Sequence, residues 1–240
     1  LKFVMDYEGV SFPDAVEQLA AQAGLKVPRD AGRAGEDDKL GPLYAVLLEA
    51  TAWFREQLTK SERAQAYFDR RGVGPEMIER FQLGYAPDRW DGISGKLGGS
   101  ADRMKLLAAT GLLSQRDNGQ SYDKFRDRVM FPIHDRRGRP IAFGGRILDK
   151  GEPKYLNSPE TALFHKGREL YGLWQARQSA QKLKRLIVVE GYMDVIALAQ
   201  HGVDEAVATL GTATTKEHAE LLFRNAEDVV FCFDGDRAGR

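Results

Sequence analysis

Between Leu186 and Asp236 three short apolar runs alternate with two segments of helical periodicity, and no other feature of the chain constrains its fold as much. Leu186-Ile187-Val188-Val189, Ala206-Val207-Ala208-Thr209 and Val229-Val230-Phe231-Cys232-Phe233 have no alternating polar face, which suits strands buried on both sides. The stretches between them, about 193–201 and 215–224, repeat their apolar residues at helical spacing, and Gly202 stops the first. Strand, helix, strand, helix, strand in that order predicts a parallel sheet with right-handed crossovers.

Ligands of open parallel sheets sit beyond the carboxyl ends of the strands. Glu190-Gly191 ends the first strand and Asp234-Gly235-Asp236 ends the third, with Asp194 one helical turn past Glu190. Taken singly, a Glu-Gly or Asp-Gly after a strand is a turn signal, and an Asp at a helix start is a dipole partner. Together, four carboxylates at one sheet edge repel one another unless a hard divalent cation such as Mg2+ (or Mn2+) sits among them. Paired ions at such a site stabilise phosphoryl or nucleotidyl transfer. Thr209-Leu210-Gly211-Thr212, after the second strand, either turns backbone amides toward a phosphate or is a plain turn.

The 240 residues carry 35 basic and 35 acidic side chains, but the two signs are segregated. Residues 124–185 hold 15 Lys and Arg against 6 Asp and Glu, while residues 186–240 hold 4 against 10. A basic block beside an acidic one suits a polyanion and a cation handled side by side. The plain alternative is a solvated basic face. Tyr155 and His165 beside Lys154 and Lys166 favour a charged groove with rings on which bases stack. No stretch of 18 apolar residues exists, so no membrane partner is expected. A single cysteine, Cys232, excludes an intrachain disulfide, and its apolar strand context predicts a buried, inert thiol.

Upstream, residues 12–25 read as a helix, and residues 28–42, rich in Gly, Pro and acidic residues, as a linker. Helices are expected over 43–59, 61–70, 75–81 and through Met104–Leu107, and another over 173–183. Val129–Ile133 and Pro140–Leu148 around Asp135–Arg139 form a hairpin, with His134 on the surface. Trp53, Trp90 and Trp174 are assigned to the core. The fold class is α/β: an α+β N-terminal subdomain followed by the β-α-β-α-β sheet.

Val188-Val189-Glu190-Gly191-Tyr192-Met193-Asp194 with Asp234-Gly235-Asp236 resembles the Toprim fold of primases, topoisomerases and small nucleases. Phe125-Arg126-Asp127-Arg128-Val129-Met130-Phe131-Pro132-Ile133, Phe143-Gly144-Gly145-Arg146 and Lys154-Tyr155-Leu156-Asn157-Ser158-Pro159-Glu160-Thr161 resemble the bacterial replicative, DnaG-type primases. So does Phe164-His165-Lys166-Gly167, and the resemblance runs from about residue 1 to the last residue.

The resemblance implies the RNA-polymerase core of an enzyme that makes short RNA primers on a single-stranded DNA template from ribonucleoside triphosphates. It makes Glu190, Asp234 and Asp236 catalytic metal carboxylates, with Asp194 in support. It makes Arg71, Arg126, Arg128, Arg146, Lys154, Tyr155, Asn157 and Lys166 the residues for template and nucleotide. It divides the chain into 1–30, trailing a zinc-binding domain; a linker at 31–42; the N-terminal subdomain at 43–183, with template on 124–183; and an incomplete Toprim domain at 184–240. Zn2+ and the replicative helicase then belong to regions beyond this chain, and the setting is the bacterial cytoplasm at the replication fork. The rival readings are a Toprim nuclease using the same ions to cleave, and a single-stranded-DNA-binding fragment without turnover. A topoisomerase would need a nucleophilic Tyr domain, and Tyr192 lies too close to Glu190 to serve.

Overall fold

A computed structural model describes residues 31–179, 183–211 and 213–234, with scattered positions before residue 31; side chains are described from residue 40 onward apart from those positions. Two compact units divide between Lys39 and Leu40. The helix expected over 12–25 lies mostly outside the described residues.

Helix α1 (Ala31–Thr59) begins well before the expected start. The linker expected over 28–42 is therefore corrected from Ala31 onward: the backbone stays helical through Gly32, Gly35, Gly41 and Pro42. Helix α2 (Glu62–Arg70) starts at Ser61, whose hydroxyl accepts from the Ala64 amide, and α3 (Pro75–Arg80) starts with a proline in its first turn. Strand β1 (Gly84–Ala86) follows, then α4 (Gly92–Leu97) and α5 (Ala101–Ala109). Strands β2 (Leu113–Gln115) and β3 (Ser121–Asp123) pair as a small hairpin.

The expected hairpin is β4 (Arg128–His134) and β5 (Pro140–Ile147), flanked by β1 and by β6 (Tyr155–Asn157) in a four-stranded antiparallel sheet ordered β1-β4-β5-β6. A proline inside β4 is tolerated for a geometric reason. Phe143, opposite Pro132, turns its amide and carbonyl to Ser158, away from β4. Pro132 therefore faces the other side, where β1 has already ended at the Met130 pair.

After α6 (Leu173–Ser179) comes the parallel sheet: β7 (Leu183–Val189), α7 (Tyr192–Gln200), β8 (Ala206–Ala208), α8 (Lys216–Asn225) and β9 (Ala226–Phe231), ordered β8-β7-β9. Burial of β7 on both faces is borne out. Leu186 and Val188 face a cluster with Leu173, Val207, Leu221 and Leu222, while Val189 and Ile187 face a second with Val195, Ile196 and Ala208. That second cluster continues through Phe131, Phe164 and Tyr171 to Phe68 and Phe81, so both sheets share one core within residues 40–234. Val46, Phe54, Leu107 and Leu112 cover the opposite face of the antiparallel sheet, around Met130 and Phe143.

Two expectations of burial are reversed. Cys232 is exposed, just past β9, an edge strand of the described sheet on which Val230 and Phe231 are about half exposed as well. His134 is buried, because residues distant in sequence close over it: its Nε2 meets Gln82 Oε1 at 3.1 Å and its Nδ1 meets Gln175 Nε2 at 3.3 Å. That pattern needs a neutral ring, and burial lowers the pKa of His134 to about 4 against the pull of Asp135.

His134 binds its proton less well folded than unfolded. The stability it contributes is whole above about pH 6.5 and is lost as pH falls toward about 4. Glu169, held up to about 7 by burial, acts in the opposite sense, losing its contribution as pH rises, and is common to any pair of variants at position 134. Between pH 7 and pH 5 the wild-type chain should lose about 2 kcal/mol more than His134→Gln in urea unfolding. Equal losses would contradict the neutral buried ring.

Candidate carboxylate edge and cationic face

The parallel register of β7 and β9 pairs Val188 with Phe231, and the Cys232 amide donates to Val188 O at 2.8 Å. The chain past β9 therefore runs alongside Glu190, and the Asp234 amide donates to Glu190 Oε1 at 2.8 Å. Two of the sequence-selected acids thus stand together at the carboxyl ends of adjacent strands. Asp194 lies in the first turn of α7, and its Oδ2 accepts the Gly191 amide at 3.0 Å, so it caps the helix. Glu190, Asp194 and Asp234 are exposed and have no cationic partner among the described residues. Exposed hard oxygen donors without a counter-charge fit a hard divalent cation. Asp236 lies outside the described residues. Among the described residues no three His, Cys, Asp or Glu side chains form a complete metal site.

Tyr192, the first residue of α7, joins this edge to the antiparallel sheet. Its ring stacks on Phe131 at 5.1 Å and 6°, and meets Tyr171 edge-on at 4.7 Å. A Cβ on Gly144 would come within 2.5 Å of that ring, so β5 needs glycine here. The Tyr192 hydroxyl donates to Asn157 Oδ1 at 2.7 Å, and Asn157 Nδ2 donates to Leu210 O at 2.9 Å. The side-chain amide of Asn157 is thus spent inside the protein, between β6 and the turn after β8, rather than turned to solvent for nucleic acid.

Tyr155 pairs with Arg146 across β6 and β5 and stands 6.4 Å from Tyr192, ring to ring. Lys154 lies 5.9 Å from the Tyr155 ring. The guanidiniums of Arg146 and Arg71 lie 4.8 and 5.7 Å from the centre of the Tyr67 ring. Arg71, Arg146, Lys154 and Tyr155 thus gather near one another. Arg146 Nη1 donates to Ile147 O, while its buried Nε has no partner among the described residues. The Lys166 amide donates to Glu160 Oε1, and the charge of its ammonium helps hold the Glu160 carboxyl below its usual range.

Arg128 has a different task from the one expected. It is buried on β4 and donates to the carbonyls of Pro153, Lys154 and Gly145, so it fixes the backbone beneath Lys154. Arg126 stacks 3.8 Å from the centre of the Trp90 ring. Trp90 is accordingly not a core residue: it is 54% exposed.

Four residues that shape this face were not selected from sequence. Lys124 is half-buried, and burial with the nearby charges of Lys166 and Arg128 depresses its pKa. It opens the basic block, the one signal that marked it. Asp127 has a φ of 48°, accepts from Tyr85 Oη and Arg63, and so turns Arg126 and Arg128 different ways. His218 Nε2 faces the carbonyls of Lys166 and Glu169, while Thr215 Oγ1 donates to Gly167 O, which bolts the Lys166 loop to the start of α8.

The family profile of the DNA primase catalytic core, N-terminal domain, matches residues 53–177, and that of the Toprim-like domain matches residues 187–240. The DNA primase of Haemophilus influenzae is 50% identical over 247 residues, covering 100% of this chain and 42% of that protein. That of Pseudomonas aeruginosa is 53% identical over 249 residues, with 100% and 37% covered. This chain therefore spans about two fifths of the length of these relatives. A DnaG primase catalytic domain solved with single-stranded DNA superposes with a TM-score of 0.79 at 49% identity, over 83% of this chain and 63% of the other. The RNA polymerase domain of Mycobacterium tuberculosis primase DnaG gives 0.74 at 34% identity, over 82% and 68%. These similarities give the described part the α/β architecture of DnaG catalytic cores with a Toprim sheet.

Removing the Tyr192 hydroxyl with Tyr192→Phe should cost about 1 kcal/mol in urea unfolding, since Asn157 then loses its partner. Gly144→Ala should cost about 1–3 kcal/mol by overpacking against the Tyr192 ring. A neutral Gly144→Ala would refute the close packing.

Proposed function

Because this chain belongs to the family of DnaG-type primase catalytic cores, we propose that it is the polymerase core of a DNA-directed RNA polymerase, joining ribonucleoside triphosphates on a single-stranded DNA template. The observation that carries the reading is the pairing of Glu190 with the Asp234 amide at the carboxyl edge of the parallel sheet. A DnaG catalytic domain solved with single-stranded DNA is among its relatives, which supports the template assignment.

Glu190, Asp234 and Asp236 would hold Mg2+ (or Mn2+). Bound there, the ion supplies Lewis-acid polarisation of phosphate oxygens. The chain's own residues do the rest. Asp194 holds the Gly191 amide and so fixes the turn that presents Glu190. Arg71, Arg126, Arg146, Lys154 and Lys166 contact template or nucleotide phosphates, and exposed Tyr155 stacks on a base. Arg128 and Asn157 hold that surface in place from behind. In the whole protein we assign Zn2+ and the replicative helicase to other regions, and the work to the bacterial cytoplasm at the replication fork.

Incubated with labelled ribonucleoside triphosphates, a single-stranded template and Mn2+, the chain should give template-dependent RNA. Glu190→Gln should abolish that product while leaving the unfolding midpoint close to wild type. Degraded template would point to a nuclease, and full synthesis by Glu190→Gln would disprove the carboxylate assignment. Lys154→Ala combined with Lys166→Ala should weaken single-strand binding and lower the log–log salt slope by about 1.4, two phosphate contacts. An unchanged slope would remove both lysines from the interface.

A further inference from the structure

We propose that His165, oriented by Glu160, is the proton donor to the pyrophosphate released at each nucleotide addition, with Lys166 beside it holding that group. The inference rests on the polymerase-core reading and assigns the leaving-group end of its site.

The loop that carries His165 stands at the carboxyl edge of the parallel sheet. Helix α8 follows β8, so its first turn lies at that edge, where Glu190 and Asp234 meet. Thr215, the N-cap of α8, donates its hydroxyl to Gly167 O at 2.6 Å, and His218 Nε2 faces Lys166 O at 2.9 Å. The loop is held from within as well. Phe164 is fully buried beneath it, Thr161 Oγ1 accepts the Leu163 and Phe164 amides, and Glu160 Oε1 accepts the Lys166 amide at 3.0 Å.

His165 differs from the other three histidines. His134 and His218 are buried with both ring nitrogens engaged. His201 ends α7, at the opposite edge of the sheet. His165 is half exposed, and its Nδ1 meets Glu160 Oε2 at 2.9 Å. The Lys166 amide and the His165 ring hold the Glu160 carboxyl below its usual range, so it is ionised and can only accept. The proton between them therefore sits on Nδ1, and Nε2 is left without a partner among the described residues. The other charges around the ring are Lys166, Arg168, whose amide donates to His165 O, and Glu169, which burial holds up to about 7 with Asp135 adding and Arg136 and His165 opposing. An exposed ion pair adds little stability, and the Lys166 amide already closes the loop on Glu160. One ring nitrogen pinned by a carboxylate and the other open is the arrangement that orients an imidazole for proton transfer.

In the step, the 3′ oxygen of the growing strand bonds to the α-phosphorus. The bond from that phosphorus to the oxygen it shares with the β-phosphate breaks, and its electron pair stays on the pyrophosphate oxygen. The imidazolium gives its Nε2 proton to that oxygen and becomes a neutral ring, still donating from Nδ1 to Glu160. The 3′ hydroxyl proton passes to water, and water reprotonates Nε2 once pyrophosphate has left.

The test is RNA synthesis on a single-stranded template by the wild-type chain, His165→Gln and Glu160→Gln, each checked by thermal melting, with kcat and nucleotide KM measured from pH 6 to pH 9. At the acid end, where the ring is protonated, kcat of His165→Gln should fall about a hundredfold below wild type, and the ratio should shrink toward one as pH rises through the imidazole range. Glu169 titrates in the same range but is common to both proteins, so it cancels in the ratio. KM should move less than kcat, and Glu160→Gln should show a smaller loss of the same pH dependence. With β,γ-methylene nucleotides, whose leaving group is more basic, the loss in His165→Gln should exceed that with β,γ-difluoromethylene nucleotides. Parallel pH profiles, a change in KM alone, or equal losses with the two analogues would overturn the proton-donor role and leave the polymerase-core reading standing. No template-dependent RNA from the wild-type chain would overturn both.

Discussion

Tyr192 is the point at which the two sheets become one body. It opens α7 directly after the Glu190 turn, so wherever its ring is anchored, the carboxylate edge is anchored too. The anchor is the antiparallel sheet: Phe131 beneath the ring, Gly144 leaving room for it, and Asn157 taking its hydroxyl. Burial raises the pKa of this phenol, so it remains a neutral donor at any working pH. Asn157 passes the constraint on to the turn after β8 through Leu210 O. A buried polar network of this kind is costly when half-satisfied and specific when complete. Here it sets the distance between the cationic strands and the acidic edge.

The segregation of charge acquires its meaning from that lock. Cations on β5, just before β6 and on the Lys166 loop stand on the side of the first sheet, and exposed carboxylates on that of the second. His218 and Thr215 add a second bridge, from the Lys166 loop to α8. A polyanion bound to the first surface is thereby held beside a cation bound to the second, without either surface having to neutralise the other. Several residues in the basic block do no binding of their own in this account. Arg128 ties down the backbone at Lys154, and Asp127 divides the directions of its two neighbours.

The parallel sheet was legible because its strands are continuous apolar runs and its helices keep their period; burial on both faces accounts for that signature in β7 and β8, while β9 carries it with much of its surface exposed. The β4–β5 hairpin was legible for its turn residues. Strands β1, β2, β3 and β6 have three residues each, too few to show a period, and exist only through their partners. His134 looked like a surface residue because Asp135 and a turn follow it; its burial comes from Gln82 and Gln175, many residues away. Trp90 looked like core because large aromatics usually are, and its exposure is made tolerable by the guanidiniums that cover it. Of the acidic cluster, the place of Glu190 and Asp234 at the carboxyl edge was legible, but not that β9 lies directly beside β7. Of the cationic residues, the sequence marked the block but not which members face inward, since Arg128 and Asn157 differ from Lys154 only in tertiary contacts.

The central claim is that Tyr192 makes the cationic sheet and the carboxylate edge a single cooperative unit. Urea unfolding followed by amide hydrogen exchange in β4–β5 and in β7–β9 measures this directly, on the wild-type chain and on Tyr192→Ala. The account predicts coincident transitions for the two sheets in the wild type and, in Tyr192→Ala, loss of protection in β7–β9 at lower urea than in β4–β5. Coincident transitions in Tyr192→Ala would contradict it, and would place the coupling elsewhere in the shared core.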